Sequence, residues 1–276
     1  FGFLLDLNTK FSHKKFAKSK KIIPLSGGLI IIILSSYFDF QNYIFLLSTF
    51  LILILGLTSD IDLLRSPKAR IIAQTLILFL YISVSNNFFS DLRVNELNLI
   101  LNIYIIAIFF NIFCYLVLIN GSNLIDGLNS IVIGYFLSIA TILIVLNNEY
   151  NFILEINYLK TIILILTVIY LFNLFGKMYL GDSGAYLISF IFGAFLIKLY
   201  NQNPSISPYF IMCLLWYPAF ENLFSIVRKS LNKISFQKAD NKHLHQYLYK
   251  FFLKKFKLKK EIINSFTGNV IVLYNL

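Results

Sequence analysis

Asn120, Asn123 and Asp126 stand at every third position in the stretch Asn120–Ser130, between two long apolar runs and with no Lys or Arg among them. On a helical turn that spacing puts the three side chains on one side. Two amides and a carboxylate supply oxygen ligands for a hard cation and N–H donors for a nucleotide. A carboxylate one or two residues from membrane-length apolar segments costs a few kcal/mol, and such groups line a watered or ligand-filled site. An ordinary turn through the Asn-Gly and Asp-Gly pairs is the simpler alternative, but a turn does not require this density of polar groups.

Four more polar clusters carry residue types suited to the same chemistry. Pro24-Leu25-Ser26-Gly27-Gly28 opens a span with paired glycines, and amides at a helix start attract anions. Ser59, Asp60 and Asp62 precede Ser66-Pro67-Lys68-Ala69-Arg70 and Gln74, so a carboxylate and cations flank one loop, as a metal-bound phosphate would require. Gly181-Asp182-Ser183-Gly184 places small residues around a carboxylate, leaving it open to a ligand or a hard cation. Asp240, His243 and His245 fall in the longest polar loop. No Cys partners the two His residues, so phosphate recognition or proton transfer suits them better than zinc. Glu221 is a further acid inside an apolar run, two turns before Arg228.

The elements that must position these groups are membrane helices. Hydrophobic residues form 58 % of the 276 and charged residues 13 %, a balance that excludes a soluble domain. Apolar runs predict spans at Gly27–Phe38, Ile44–Thr58, Ile71–Val84, Leu99–Ile119, Leu128–Leu146, Tyr158–Phe175, Ala185–Leu199, Tyr209–Val227 and from Ile262 onward. The expected architecture is therefore all-α, a polytopic helix bundle with about nine or ten spans. Residue 1 is Phe, and Phe1–Leu7 resembles the tail of an earlier span. We expect a chain that lacks most of one N-terminal span and part of its C-terminal end.

Alternate polar segments hold 21 of the 24 Lys and Arg residues, leaving Arg93, Lys160 and Lys198 on the other side. The positive-inside rule makes the rich side cytoplasmic, and all five polar clusters fall there. The net charge of +11 collects beside spans, which fits contact with anionic lipid head groups rather than nucleic acid. Cys114 and Cys213 lie inside predicted spans and suggest no disulfide framework. A transporter would hold its ionisable groups near mid-bilayer, often in inverted repeats; these collect at one face.

In this order the clusters resemble the polyprenyl-phosphate N-acetylhexosamine-1-phosphate transferases, from about Asp6 to Leu248. The most specific parts are Asn120-x-x-Asn123-x-x-Asp126-Gly127-Leu128-Asn129 and Gly181-Asp182-Ser183-Gly184. Pro24, Gly27 and Gly28 match the family's Pro-x-x-Gly-Gly entry; Gly56, Asp60, Lys68 and Gln74 match its Gly-x-x-Asp-Asp…Lys…Gln region. Ser59 stands where the first Asp of that pair is usual, Gln246 where the last His of the C-terminal motif is usual, and Glu221 where Asp is usual.

The resemblance implies one integral-membrane transferase domain over 1–276, in the bacterial inner membrane, with its site facing the cytoplasm. It implies transfer of N-acetylhexosamine 1-phosphate from a UDP-N-acetylhexosamine to polyprenyl (undecaprenyl) phosphate, releasing UMP and starting a lipid-linked surface polysaccharide such as O-antigen. Mg²⁺ is the expected cofactor, with Mn²⁺ as the alternative. The implied catalytic residues are Asp60, Asp126 and Asp182, with Asp60 as base or as organiser of metal and lipid phosphate. Asn123, Asp126, Gly127, Leu128 and Asn129 would hold the nucleotide; Lys68, Arg228, Asp240, His243 and His245 the phosphates or sugar; Asp182, Asp126 and Asn123 the metal. A phospho-MurNAc-pentapeptide transferase, and an inactive relative in view of Ser59 and Gln246, are the competing readings. Oligomeric state is not legible.

Overall fold

The computed structural model describes residues 23–38, 43–152, 156–233 and 242–275, with side chains in the first segment described as far as residue 32. Among them the chain is helical: α1 (Gly27–Phe38), α2 (Tyr43–Asp60), α3 (Pro67–Ser85), α4 (Asn95–Leu101), α5 (Tyr104–Ile125), α6 (Ile131–Tyr150), α7 (Ile156–Leu174), α8 (Gly181–Gln202), α9 (Pro208–Leu214), α10 (Trp216–Leu231), α11 (Leu244–Lys255) and α12 (Lys260–Tyr274). Six of these, α2, α3 and α5 to α8, are long and apolar enough to cross a membrane, and the bent pair α9–α10 makes up to seven. The chain is a multi-pass membrane protein. Nine or ten spans are not reached on this measure, because α1 has 12 residues and α12 has 15, about 18 and 22 Å of helix against a hydrocarbon core of about 30 Å.

The axis of the bundle is α8, buried along nearly its whole length. Between Ser183 and Ile197 its sequence is uncharged and almost wholly apolar or small on every side, and a helix of that kind has no water- or lipid-facing stripe to present. In lipid, helices associate by close packing rather than by a hydrophobic drive, so small residues mark the crossings. A Cβ on Gly56 of α2 would lie 2.2 Å from the Ser183 Cα of α8, and one on Gly121 of α5 would lie 2.1 Å from the Pro218 carbonyl oxygen of α10. Outward-facing α3 and α7 instead expose Leu76, Phe79, Leu164 and Phe172.

The expected continuous span Tyr209–Val227 is broken at Leu215, where α9 and α10 meet at 78°. Pro218 supplies the reason: its ring cannot tolerate a helical carbonyl from Leu214, four residues back, and it has no N–H to give. The loosened groups find one partner. The Tyr135 hydroxyl on α6 donates to the Leu214 carbonyl at 2.7 Å and accepts from the Tyr217 amide at 3.4 Å.

Candidate active site

The Pro24–Gly28 segment and the loop before α8 meet through backbone alone. The Tyr179 amide donates to the Pro24 carbonyl (3.0 Å) and the Gly27 amide to the Tyr179 carbonyl (3.3 Å), in a short parallel bridge at Leu25 and Tyr179. This sets the first turns of α1 and α8 side by side. Gly181 takes φ +73°, and a Cβ there would sit 2.8 Å from Asp60 Oδ2; both the left-handed turn and the close approach require glycine.

Asp60, the last residue of α2, closes onto that turn. Its Oδ1 accepts from the Asp182 amide at 2.7 Å and its Oδ2 from the Ser183 amide at 3.1 Å. The local cap position of α8, Leu180, offers no side-chain hydrogen bond. Two amides without partners at a helix start are thus satisfied by a carboxylate from another helix, where the dipole favours negative charge.

The next residue, Asp182, faces Ser59 and Arg70. Ser59 Oγ donates to Asp182 Oδ2 at 2.5 Å, and Arg70 donates both to Asp182 Oδ2 (2.9 Å) and to Ser59 Oγ (2.7 Å). The same guanidinium nitrogen lies 3.3 Å from the Tyr186 hydroxyl, one turn along α8. Side chains of Arg70 and Asp182 remain about one-fifth exposed, so the group is reachable. Two carboxylates against one guanidinium leave it net negative. Lys68, on the first turn of α3, is exposed.

The Asn120–Ser130 stretch begins inside α5 and ends at the start of α6. Gln74 of α3 is buried and accepts from the Asn120 amide at 2.9 Å, which ties the early turns of α3 to the late turns of α5 and puts both polar regions at one end of the bundle. Asn123 and Asp126 are half-buried, with Asp126 capping the C-terminus of α5. Leu128 belongs to the core. Asn129 is committed to α12: its amide donates to Asn264 Oδ1 (2.7 Å) and its side chain to Ser265 (3.2 Å).

Gly127 meets the histidines. His245 Nε2 would lie 2.5 Å from a Cβ at Gly127, and the His243 and His245 rings stack with centroids 5.6 Å apart. Both imidazoles are buried. His243 Nδ1 lies 2.8 Å from Glu221 Oε2, and the Leu244 amide donates to Glu221 Oε1 at 3.0 Å. Glu221 is thereby a structural partner. His245 makes no hydrogen bond with either ring nitrogen; burial above all, with the neighbouring His243, pushes its pKa down to about 3, so it is neutral at neutral pH. Gln246 closes a capping box with His243 at the start of α11. Arg228 donates to the Lys242 carbonyl at 2.9 Å. Asp240 lies outside the described residues.

Among the described residues no three His, Cys, Asp or Glu side chains converge on a metal position. Mg²⁺ does not require such a cage, because it is commonly held by one or two carboxylates together with substrate phosphates. Asp182 fits that mode: Ser59 and Arg70 both engage Oδ2, which leaves Oδ1 for a shared cation.

The structure therefore joins Asp60, Asp182 and Ser59 into one group and Gly127, His243 and His245 into another. Sequence places Arg70 among the cations flanking the Ser59–Asp62 carboxylates but gives it no individual role, and it does not single out Tyr186. The signal for Arg70 was present, since it lies four residues before Gln74 on the same face of α3.

A family model described as glycosyl transferase family 4 matches residues 42–200. The matched region contains Ser59, Asp60, Arg70, Asp126 and Asp182 and stops before the His243–His245 segment. The chain is also similar to the probable undecaprenyl-phosphate N-acetylglucosaminyl 1-phosphate transferase of Bacillus subtilis (strain 168), at 27 % identity over 248 residues, covering 84 % of this chain and 67 % of that protein.

Proposed function

We start from the fact that this chain belongs to glycosyl transferase family 4, and we propose that it moves N-acetylhexosamine 1-phosphate from a UDP-sugar to undecaprenyl phosphate. That it is a sugar-phosphate transferase enzyme follows from the family and from its named relative. The observation that carries the finer reading is the head of α8, where Asp182 is presented by Asp60 and paired with Arg70.

In this reaction an oxygen of the lipid phosphate attacks the β-phosphorus of the UDP-sugar, and the bond from that phosphorus to the UMP oxygen breaks. UMP leaves, and a polyprenyl diphospho-sugar stays in the membrane. Phosphoryl transfer calls for positioning and charge neutralisation more than for covalent help from the protein. Mg²⁺, with Mn²⁺ as the alternative, would supply neutralisation of the charge growing on the UMP oxygen, held by Asp182 Oδ1 and the diphosphate, with Asp126 and Asn123 as further candidate ligands.

The chain's own residues do the rest. Asp60 has both oxygens on amides and acts as the organiser of Asp182, not as a base. Arg70 and Lys68 meet phosphate charge. The Asn123–Leu128 turn, backed by His245 at Gly127, receives the uridine end, and Asn129 anchors that turn to α12. Charge distribution supports a site facing the cytoplasm of a bacterial inner membrane. With α1 and α12 counted as further embedded segments, the bundle approaches nine. Initiation of a surface polysaccharide such as O-antigen is the role we favour.

The test is release of UMP by the reconstituted protein with undecaprenyl phosphate and Mg²⁺. Turnover with UDP-N-acetylglucosamine or another UDP-N-acetylhexosamine supports the proposal. Turnover with the UDP-MurNAc-pentapeptide alone would assign it to peptidoglycan synthesis, and none with any nucleotide sugar would mark an inactive relative.

A further inference from the structure

We propose that α11 is a lipid-seated helix that binds anionic glycerophospholipid head groups at the membrane surface. Its depth is fixed by its N-terminus. His245, in the first turn, packs against Gly127, and Gly127 lies in the turn joining two membrane-length helices, α5 and α6. Its C-terminus is fixed as well, since only four residues separate Lys255 from α12. A helix held at both ends to the rim of the bundle lies at head-group level.

Its two faces differ in what they touch. His245 and Tyr249 are buried, and Phe252 packs edge-on to Phe266 of α12 with ring centroids 5.3 Å apart. The opposite face exposes Leu244, Tyr247 and Phe251, with exposures of 41, 52 and 55 %. Positions three and four apart stack into one stripe. The stripe is interleaved with cations: Lys250 Nζ lies 5.9 Å from the Tyr247 ring centre and Lys255 Nζ 5.7 Å from that of Phe251. Between residues 250 and 261 there are six lysines and one acid, Glu261.

Aromatic and aliphatic side chains on one face with lysines at its border form the pattern of a helix lying in the interface plane. The apolar stripe enters the acyl boundary, and the lysine stems reach back to phosphate. An acidic protein face would match the charge equally well, but the depth fixed by His245 at Gly127, in the turn between two membrane-length helices, sets the stripe against lipid. Each lysine near an anionic surface favours the acidic lipid by roughly fivefold. Because the readout below is lipid contact, the proposal stands apart from the transferase reading.

The test uses the full chain carrying Trp216→Phe and Tyr247→Trp, so that one indole reports on α11. The protein is reconstituted in phosphatidylcholine vesicles doped with brominated phosphatidylglycerol or, separately, brominated phosphatidylcholine. Both lipids should quench the indole, with the acidic lipid preferred by roughly fivefold or more. Replacing Lys250, Lys254 and Lys255 by Gln should bring that preference to near unity while quenching persists. If the Tyr247→Trp protein does not insert, Phe251→Trp reads the same face. No quenching by either lipid would place the stripe in water, as for a protein-docking face, and overturn the proposal. Equal quenching in the parent would overturn its anionic half.

Discussion

Replacing Asp60 by Asn distinguishes a carboxylate that organises the site from one that removes a proton. In the folded chain its two oxygens accept from the Asp182 and Ser183 amides at 2.7 and 3.1 Å. Asn keeps one acceptor and turns the other into an NH₂ group that faces an N–H, so one amide at the head of α8 loses its partner. A hydrogen bond to a charged group contributes about 1.5–3 kcal/mol, and loss of a helix cap about 1 kcal/mol. A displacement of Asp182 costing about 2–3 kcal/mol lowers turnover roughly 30- to 150-fold. Asp60→Ala removes both acceptors and should lower it further. The assay is UMP release across pH, with thermal unfolding in detergent measured on the same samples. We expect Asp60→Asn to keep the shape of the parent pH profile and to unfold at a lower temperature. A variant that unfolds like the parent but has lost the acidic limb of its profile would refute the organising role and make Asp60 a base.

The remaining predictions concern the neighbours of that carboxylate. Asp182→Asn should still insert and fold but lose turnover by more than about a hundredfold, since it removes the charge on the carboxylate whose Oδ1 is left for a shared cation; parent-like UMP release would discard Asp182 as a ligand. Gly56→Ala should lower the unfolding temperature, because its Cβ would stand 2.2 Å from the Ser183 Cα and overpacking costs about 1–3 kcal/mol; unchanged stability would mean that the α2–α8 crossing has room for a methyl group. His245 has a folded pKa near 3, below its ordinary value near 6.5, so its contribution to stability is present above pH 6.5 and is lost as pH falls from there toward 3. His245→Phe, with His243 and Glu221 left in place, should therefore lose less stability between pH 7 and pH 5 than the parent, as read by thermal unfolding; an equal or steeper loss would contradict a neutral buried imidazole.

Much of the site was legible as composition, and little of it as contact. Asp60, Asp126 and Asp182 stand out because carboxylates bordering apolar runs are costly, and that cost is visible residue by residue. Which of them meet is decided by glycine-sized gaps between helices, and spacing along one chain does not reveal the partner of a gap. Ser59 illustrates this: by sequence it is a missing carboxylate, whereas in the fold it hydrogen bonds to both Asp182 and Arg70. The histidines misled in the other direction. Two imidazoles in a polar loop suggest an accessible pair, yet both are buried, and Glu221 takes one of them. Long apolar runs correspond to the membrane-length helices. Hydropathy averages over the bend at Pro218 and so predicts one span where α9 and α10 meet, and α11 resembles a loop in sequence because its apolar stripe is short and crowded with lysine.

A broken membrane helix invites the idea of a hinge. The Tyr135 hydroxyl argues for the opposite mechanical role. One phenol oxygen holds the last carbonyl of α9 and an early amide of α10, so the groups that bending would set free are already occupied. The break behaves as a welded corner. Its angle fixes the heading of α10, which carries Glu221 to His243 and so sets where α11 begins. Stiffness at a single hydroxyl deep in the bundle is thereby transmitted to the wall beside Gly127, and Tyr135→Phe would loosen that wall without touching it.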